Sequence, residues 1–302
     1  MTSAAKRNLP ASVRQRLLNL SAERHTAFEL VLIRYGIERL LFRLSHSNYS
    51  DRFLLKGAML FAVWNPEAHR PTRDVDLLGF GPSELTQVEA EFREICEVPV
   101  EDDGLAFDPK SVGVEEIRED ARYAGLRVTL VAKLGRVRIP VQVDIGYGDA
   151  VTPGPQRIEF PTLLDFPAPK LNAYPIYTVV AEKLEAIASL GEINTRMKDF
   201  YDLWFLSERF DFEGTPLALA IRATFRRRQT QLPAIDSMVG LTQGYADGKR
   251  PYWNAFLQRN GLEALRLDEV IRRIRTFLSP VVADQVKPSD GLIWKASKGW
   301  TR

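Results

Sequence analysis

Arg73-Asp74-Val75-Asp76 sets two carboxylates two positions apart in a short run that continues into Leu77 and Leu78. In a strand, residues i and i+2 project to the same face. Asp74 and Asp76 would therefore stand side by side. Two carboxylates that close repel and raise each other's pKa, and a divalent cation removes that cost. Magnesium takes hard oxygen ligands, commonly one or two carboxylates completed by substrate phosphates. Asp-x-Asp also arises by chance, so its context matters.

Four further segments could belong to the same chemistry. Lys56-Gly57-Ala58 reads as the end of a strand opening into a helix. A glycine there lets backbone N–H groups of Gly57 and Ala58 approach phosphate oxygens. Val141-Gln142-Val143-Asp144-Ile145 reads as a strand. Asp144 would complete a metal site, act as base on an attacking hydroxyl, or cap a turn near Gly146. Lys183 lies on a helix, where it either meets a phosphate as a point charge or pairs with Glu182 or another neighbour. Asp199 and Asp202 are three apart and share a helix face. Asp199 would orient Lys183 or a substrate, or simply favour the helix dipole.

The elements that must position these groups follow from periodicity. Residues 1–47 read as helical, with a segment starting at Pro10, an N-cap at Ser21, and helical spacing from Phe28 to about His46. Residues 48–176 read as a mixed α/β core. It holds strands at Phe53–Leu55, Val75–Leu78, Leu126–Lys133 and Val137–Ile145, a weak one at Val112–Val114, and helices at Ala58–Trp64 and Ser83–Cys96. Gly135-Arg136 marks a hairpin turn, Pro66 and Pro71 bracket a loop, and residues 150–176 are irregular with an edge strand or two. Residues 177–282 read as a helical bundle, with helices near 178–190, 197–209, 215–228 and 261–279. Residues 283–302 read as a polar tail in which Leu292, Ile293 and Trp294 can dock. The fold class expected is α+β.

Composition excludes several classes. The 302 residues are 45% hydrophobic and 26% charged, with a net charge of +2. That balance does not describe a protein that coats nucleic acid. Cys96 is the one cysteine and His25, His46 and His69 are scattered, which excludes an internal disulfide framework and a cysteine-rich zinc site. Cys96 reads as a buried thiol. Met1–Arg7 is not followed by an apolar stretch of the secretory type, and no apolar run approaches the roughly 20 residues that span a bilayer. The expectation is a cytoplasmic protein without a membrane partner.

The ordered set resembles the AbiEii/AbiGii toxin family of nucleotidyltransferases, which includes the MenT-type toxins and belongs to the DNA polymerase β-like superfamily. The matching residues are Leu55-Lys56-Gly57-Ala58, Arg70-Pro71-Thr72-Arg73-Asp74-Val75-Asp76-Leu77-Leu78-Gly79, Val143-Asp144-Ile145-Gly146, Glu182-Lys183-Leu184-Glu185-Ala186 and Arg196-Met197-Lys198-Asp199-Phe200-Tyr201-Asp202-Leu203. They lie between about residues 30 and 230. The resemblance implies a small mixed-sheet nucleotidyltransferase core with N-terminal helices and a C-terminal helical bundle. It implies that Gly57 and Ala58 hold nucleotide phosphates, that Asp74 and Asp76 bind Mg2+ or Mn2+, and that Lys183 contacts the phosphates with Asp199 in the same site. Asp144 matches the superfamily's third carboxylate, a position less regularly retained in this family. Where the superfamily often has Gly-Ser or Gly-Gly, this chain has Gly57-Ala58, which removes one hydroxyl contact and keeps the backbone N–H.

The biology implied is a toxin of a toxin–antitoxin or phage-defence system that moves a nucleotide from an NTP onto an RNA, such as the 3′ end of tRNA, and so blocks translation. A cognate antitoxin encoded nearby would be its partner. Arg222, Arg226, Arg227 and Arg228, with Arg272, Arg273 and Arg275, would grip RNA phosphates or form solvated helix faces. The alternatives are a nucleotidyltransferase acting on protein or a small molecule, and a degenerate NTP-binding module.

Overall fold

The first helix begins where the sequence supplies a cap. Asn8 accepts a hydrogen bond from the Ala11 N–H, and Pro10 sits in the first turn, where a missing N–H costs nothing. The computed structural model describes residues 8–65, 72–120, 123–283 and 291–302. The loop bracketed by Pro66 and Pro71, with Arg70 of the family-like segment, lies outside the described residues, as do Met1–Arg7 and residues 284–290. The chain divides into two compact units, Met1–Gly148 with Gln156–Ala173 and Asp149–Pro155 with Tyr174–Arg302.

In the first unit, α1 (Leu9–Glu23) and α2 (Phe28–Ser45) precede the sheet. Ser21 is not an N-cap. It lies in the last turn of α1, on the buried face it shares with Val13 and Leu17, and its hydroxyl donates to the Thr26 carbonyl. Helix α2 buries Ile33, Ile37, Leu40 and Leu41, and also buried polar groups. Arg39 and Arg43 both bond the Asp103 carboxylate, and the Tyr35 hydroxyl donates to the Asp103 carbonyl at 2.7 Å. Buried charges paired this way fix the helix against its neighbours.

The sheet comprises β1 (Phe53–Lys56), β2 (Asp74–Gly79), β3 (Leu105–Asp120), β4 (Tyr123–Leu134), β5 (Val137–Tyr147), β6 (Gln156–Glu159) and β7 (Lys170–Ala173). Its strand order is β3-β4-β5-β2-β1-β7-β6. Strand β2 runs antiparallel to β1 and parallel to β5, and β1 is parallel to β7, so the sheet is mixed, as expected. A short 3-10 turn, Gly57–Leu60, and α3 (Phe61–Trp64) follow β1, and α4 (Leu85–Glu97) follows β2. The β4–β5 turn is made at Gly135, φ 61°. Strand β3 is far longer than the weak signal at Val112–Val114. Pro109 lies in the register shift between Asp108 and Gly113 on this edge strand, where a missing N–H is tolerated.

The second unit holds α5 (Ile176–Leu190), α6 (Met197–Arg209), α7 (Gly214–Arg227), α8 (Gln243–Arg259) and α9 (Leu267–Ala283). Helix α8 is an addition to the sequence reading, and α9 starts at Leu267 rather than near 261. A three-stranded sheet joins β8 (Phe212–Glu213), β9 (Ile293–Lys295) and β10 (Gly299–Thr301) in the order β10-β9-β8. Trp294 is fully buried and its Nε1–H donates to the Ser207 carbonyl. No described helix is long and apolar enough to cross a membrane.

Candidate active site

Strand β1 delivers a glycine to a place where any side chain would strike a carboxylate. Lys56 pairs in register with Asp76, and Gly57 then leaves the strand with φ 73°. A Cβ added to Gly57 would lie 1.9 Å from Asp76 Oδ2. The glycine backbone therefore packs directly against the Asp76 carboxylate, and Ala58 follows half-buried in the 3-10 turn.

Strand β2 alternates as the sequence requires. Val75 and Leu77 are buried, whereas Asp74 and Asp76 are half-buried, so both carboxylates occupy one face. The Thr72 hydroxyl donates to Asp74 Oδ1 at 2.6 Å. Two half-buried carboxylates beside a glycine turn form a hard-oxygen donor set that fits magnesium, with substrate oxygens completing the shell. Among the described residues no group of three or more His, Cys, Asp or Glu side chains could cage a metal by itself.

Asp144 is brought into register with Asp76 across the parallel β2–β5 pair. Both of its oxygens are engaged by Arg127 of β4, with Nε to Oδ1 and Nη2 to Oδ2 each 2.8 Å, and the Gln142 amide adds a contact at 3.2 Å. The hydrogen bonds with the Asp144 carboxylate raise the Arg127 pKa further. A bidentate fork of this kind fixes a carboxylate's orientation. Sequence reasoning missed Arg127, and its only signal was the cross-strand register.

In the second unit, Lys183 on α5 reaches two carboxylates of the next helix. Its Nζ lies 3.0 Å from Asp199 Oδ1 and 2.6 Å from Asp202 Oδ2, both on α6. Arg196 Nε donates to the other Asp199 oxygen at 2.9 Å. Burial works to raise the Asp199 pKa, but Lys183 and then Arg196 prevail and hold it below the usual carboxylate value. The ammonium is thus clamped between two buried carboxylates. Asp202 was paired with Asp199 by spacing alone, without this role.

The arginines divide. Arg228 is no solvated side chain and no open phosphate grip. It meets Asp149, Glu185 and Glu182 at 3.1, 2.9 and 3.4 Å. Burial opposes its charge, yet Glu182, Asp149 and Glu185 together raise its pKa. Arg273 bonds the Ser207 and Ala296 carbonyls and stacks over Trp294. Arg275 bonds the Leu241 carbonyl and Asp236, and Arg272 approaches Asp268. Arg226 and Arg227 are exposed. The buried thiol expected of Cys96 is present, its pKa pushed up to about 12 mainly by burial.

Two solved structures from Helicobacter pylori are similar to this chain. One is the crystal structure of JHP933, with 15% identity and a TM-score of 0.45, covering 81% of this chain and 87% of that one. The other is of a candidate nucleotidyltransferase, with 15% identity and a TM-score of 0.42, covering 81% and 89%. No curated protein matches the sequence. The family model for the nucleotidyl transferase AbiEii toxin of type IV toxin–antitoxin systems matches residues 39–278, a span that takes in Gly57, Asp74, Asp76, Asp144, Lys183 and Asp199, and the chain belongs to that family.

Proposed function

We propose that this AbiEii nucleotidyltransferase transfers a nucleotide from an NTP to the 3′ end of an RNA, tRNA being the target, and thereby blocks translation. Family membership supplies the NTP substrate and an antitoxin partner. The observation that carries the assignment of the site is the packing of the Gly57 backbone against the Asp76 carboxylate. It joins a turn suited to phosphate oxygens to a pair suited to a divalent ion.

Asp74 and Asp76 are the residues that would hold Mg2+ or Mn2+. When bound, such an ion neutralises triphosphate charge and orients the phosphates. Gly57 and Ala58 offer backbone N–H groups to the phosphates. Lys183 supplies a fixed positive charge to the nucleotide phosphates, and Asp199 and Asp202 hold its ammonium in place. The attacking 3′-hydroxyl gives up its proton to solvent and forms an O–P bond to the α-phosphorus, the bond from that phosphorus to the oxygen bridging to the β-phosphate breaks, and pyrophosphate leaves. Asp144 acts on this site through its fixed place beside Asp76, with Arg127 setting its orientation. The demands on the protein are in-line placement and preorganised charge.

The test is incubation of the full chain with Mg2+, each α-labelled NTP and total tRNA. Label should enter an RNA band that ribonuclease removes. Label confined to protein would contradict the RNA assignment, and no label at all would contradict the activity.

A further inference from the structure

The N-terminal half of α2 carries a guanidinium whose position the roles above do not explain. Arg34 is half-buried, and its Nε is buried with no hydrogen-bond partner. Its Nη1 meets the thioether of Met59 at 3.5 Å, and its Cζ lies 4.5 Å above the Phe160 ring. Among the described residues it forms no ion pair. Glu38, one turn further along, exerts an attractive field on it. The Glu38 oxygens are already taken, Oε1 by Arg39 and Oε2 by the Leu163 N–H. Burial weakens the hold of Arg34 on its proton, pulling the pKa down to about 10, so it is still charged at neutral pH.

A thioether is a weak acceptor, and a cation over a ring recovers only part of what burial costs an ion. Without another partner, an apolar side chain at position 34 would serve the fold as well or better. The location suggests the partner. Met59 lies in the turn that Gly57 opens, two residues beyond it. The same end of α2 reaches the start of β2, where Glu29 pairs with Arg73, the residue before Asp74.

We propose that Arg34 is a substrate-contacting residue that donates to the polyphosphate of the nucleotide bound at the Gly57 turn. The proposal rests on the functional reading above. Guanidinium suits this task because its fixed fork of donors matches phosphate oxygens.

The experiment compares the full wild-type chain with Arg34→Met and Arg34→Lys. Calorimetry with Mg2+ present would measure binding of each NTP, of inorganic tripolyphosphate and of tRNA, and thermal denaturation would be followed without ligand. Arg34→Met should weaken NTP and tripolyphosphate binding by roughly tenfold or more, as expected for loss of a charge-assisted hydrogen bond. Its ligand-free Tm should equal or exceed that of wild type, and tRNA binding should be unchanged. Arg34→Lys, which keeps the charge but not the fork, should fall between. It decides the matter if Arg34→Met fails to fold.

A lowered Tm with unchanged nucleotide affinity would make Arg34 a packing residue and overturn the proposal. Loss confined to tRNA would overturn it as well. If wild type binds NTP and Arg34→Met binds it equally, only the Arg34 proposal fails. If wild type binds none of the nucleotides, the functional reading fails with it.

Discussion

Gly57→Ala separates the steric role of the glycine turn from its role beside the carboxylate. Gly57 sits at φ 73°, where an L side chain costs about 1–2 kcal/mol. The new methyl would also lie 1.9 Å from Asp76 Oδ2, so the carboxylate must rotate away. An off-rotamer displacement of that kind adds about 0.5–1.5 kcal/mol. Together these should lower Tm by several degrees, at roughly 2–4 °C per kcal/mol for a domain of this size. Displacing Asp76 by about 1 Å should cut transfer on the order of 100-fold. A double-mutant cycle isolates the clash. In an Asp76→Gly background, which also removes the Asp76 Cβ that would lie 2.8 Å from the new methyl, Gly57→Ala should cost only the backbone part, leaving a coupling of about 1 kcal/mol between the sites. Thermal denaturation and NTP-labelling rates on all four proteins provide the readout. Strictly additive stabilities, or a Gly57→Ala protein that labels RNA at the wild-type rate, would refute the reasoning.

Lys183→Met should remove activity and also destabilise the chain by roughly 3–5 kcal/mol, because it leaves buried Asp199 and Asp202 without their ammonium. Adding Asp202→Asn should restore much of the Tm but none of the labelling, and recovery of labelling would argue against a phosphate role for Lys183. Burial raises the Glu38 pKa to about 7 from 4.5, against hydrogen bonding from Leu163 and the charge of Arg39. A group whose pKa is raised by folding stabilises at low pH, and that contribution is lost as pH rises through the folded value. Glu38→Gln should therefore gain stability relative to wild type as pH rises from about 4.5 to 7, by at most about 3.4 kcal/mol at 1.36 kcal/mol per pH unit, read as a rising Tm difference. A constant difference across that range would contradict the assignment.

The candidate site was legible where local rules govern it. The i, i+2 spacing of Asp74 and Asp76 places both on one strand face, and the glycine read as ending a strand does end β1 and opens the next turn. Partners supplied by distant segments were not legible. Arg127 meets Asp144 through strand register, and Arg228 draws its carboxylates from Asp149 and α5, so charge counting along the chain took it for a surface cation. Helix α8 was hidden because Gly244, Gly248 and Pro251 all lie within it, against helix propensity. Its support is tertiary. Trp253 is buried and donates to the Leu265 carbonyl, while Thr242 caps the start. Strand β3 was hidden for a similar reason, since Pro109 interrupts its pattern at a register shift.

The central claim is that Asp74 and Asp76 hold the divalent ion. Mn2+ titration followed by electron paramagnetic resonance, in the presence of NTP, tests it on wild type and on Asp74→Asn, Asp76→Asn and Asp144→Asn. The account predicts bound Mn2+ in wild type, its loss in the Asp74 and Asp76 variants, and its retention in Asp144→Asn, whose carboxylate is held by Arg127. Wild-type Mn2+ affinity in both Asp74→Asn and Asp76→Asn would contradict it.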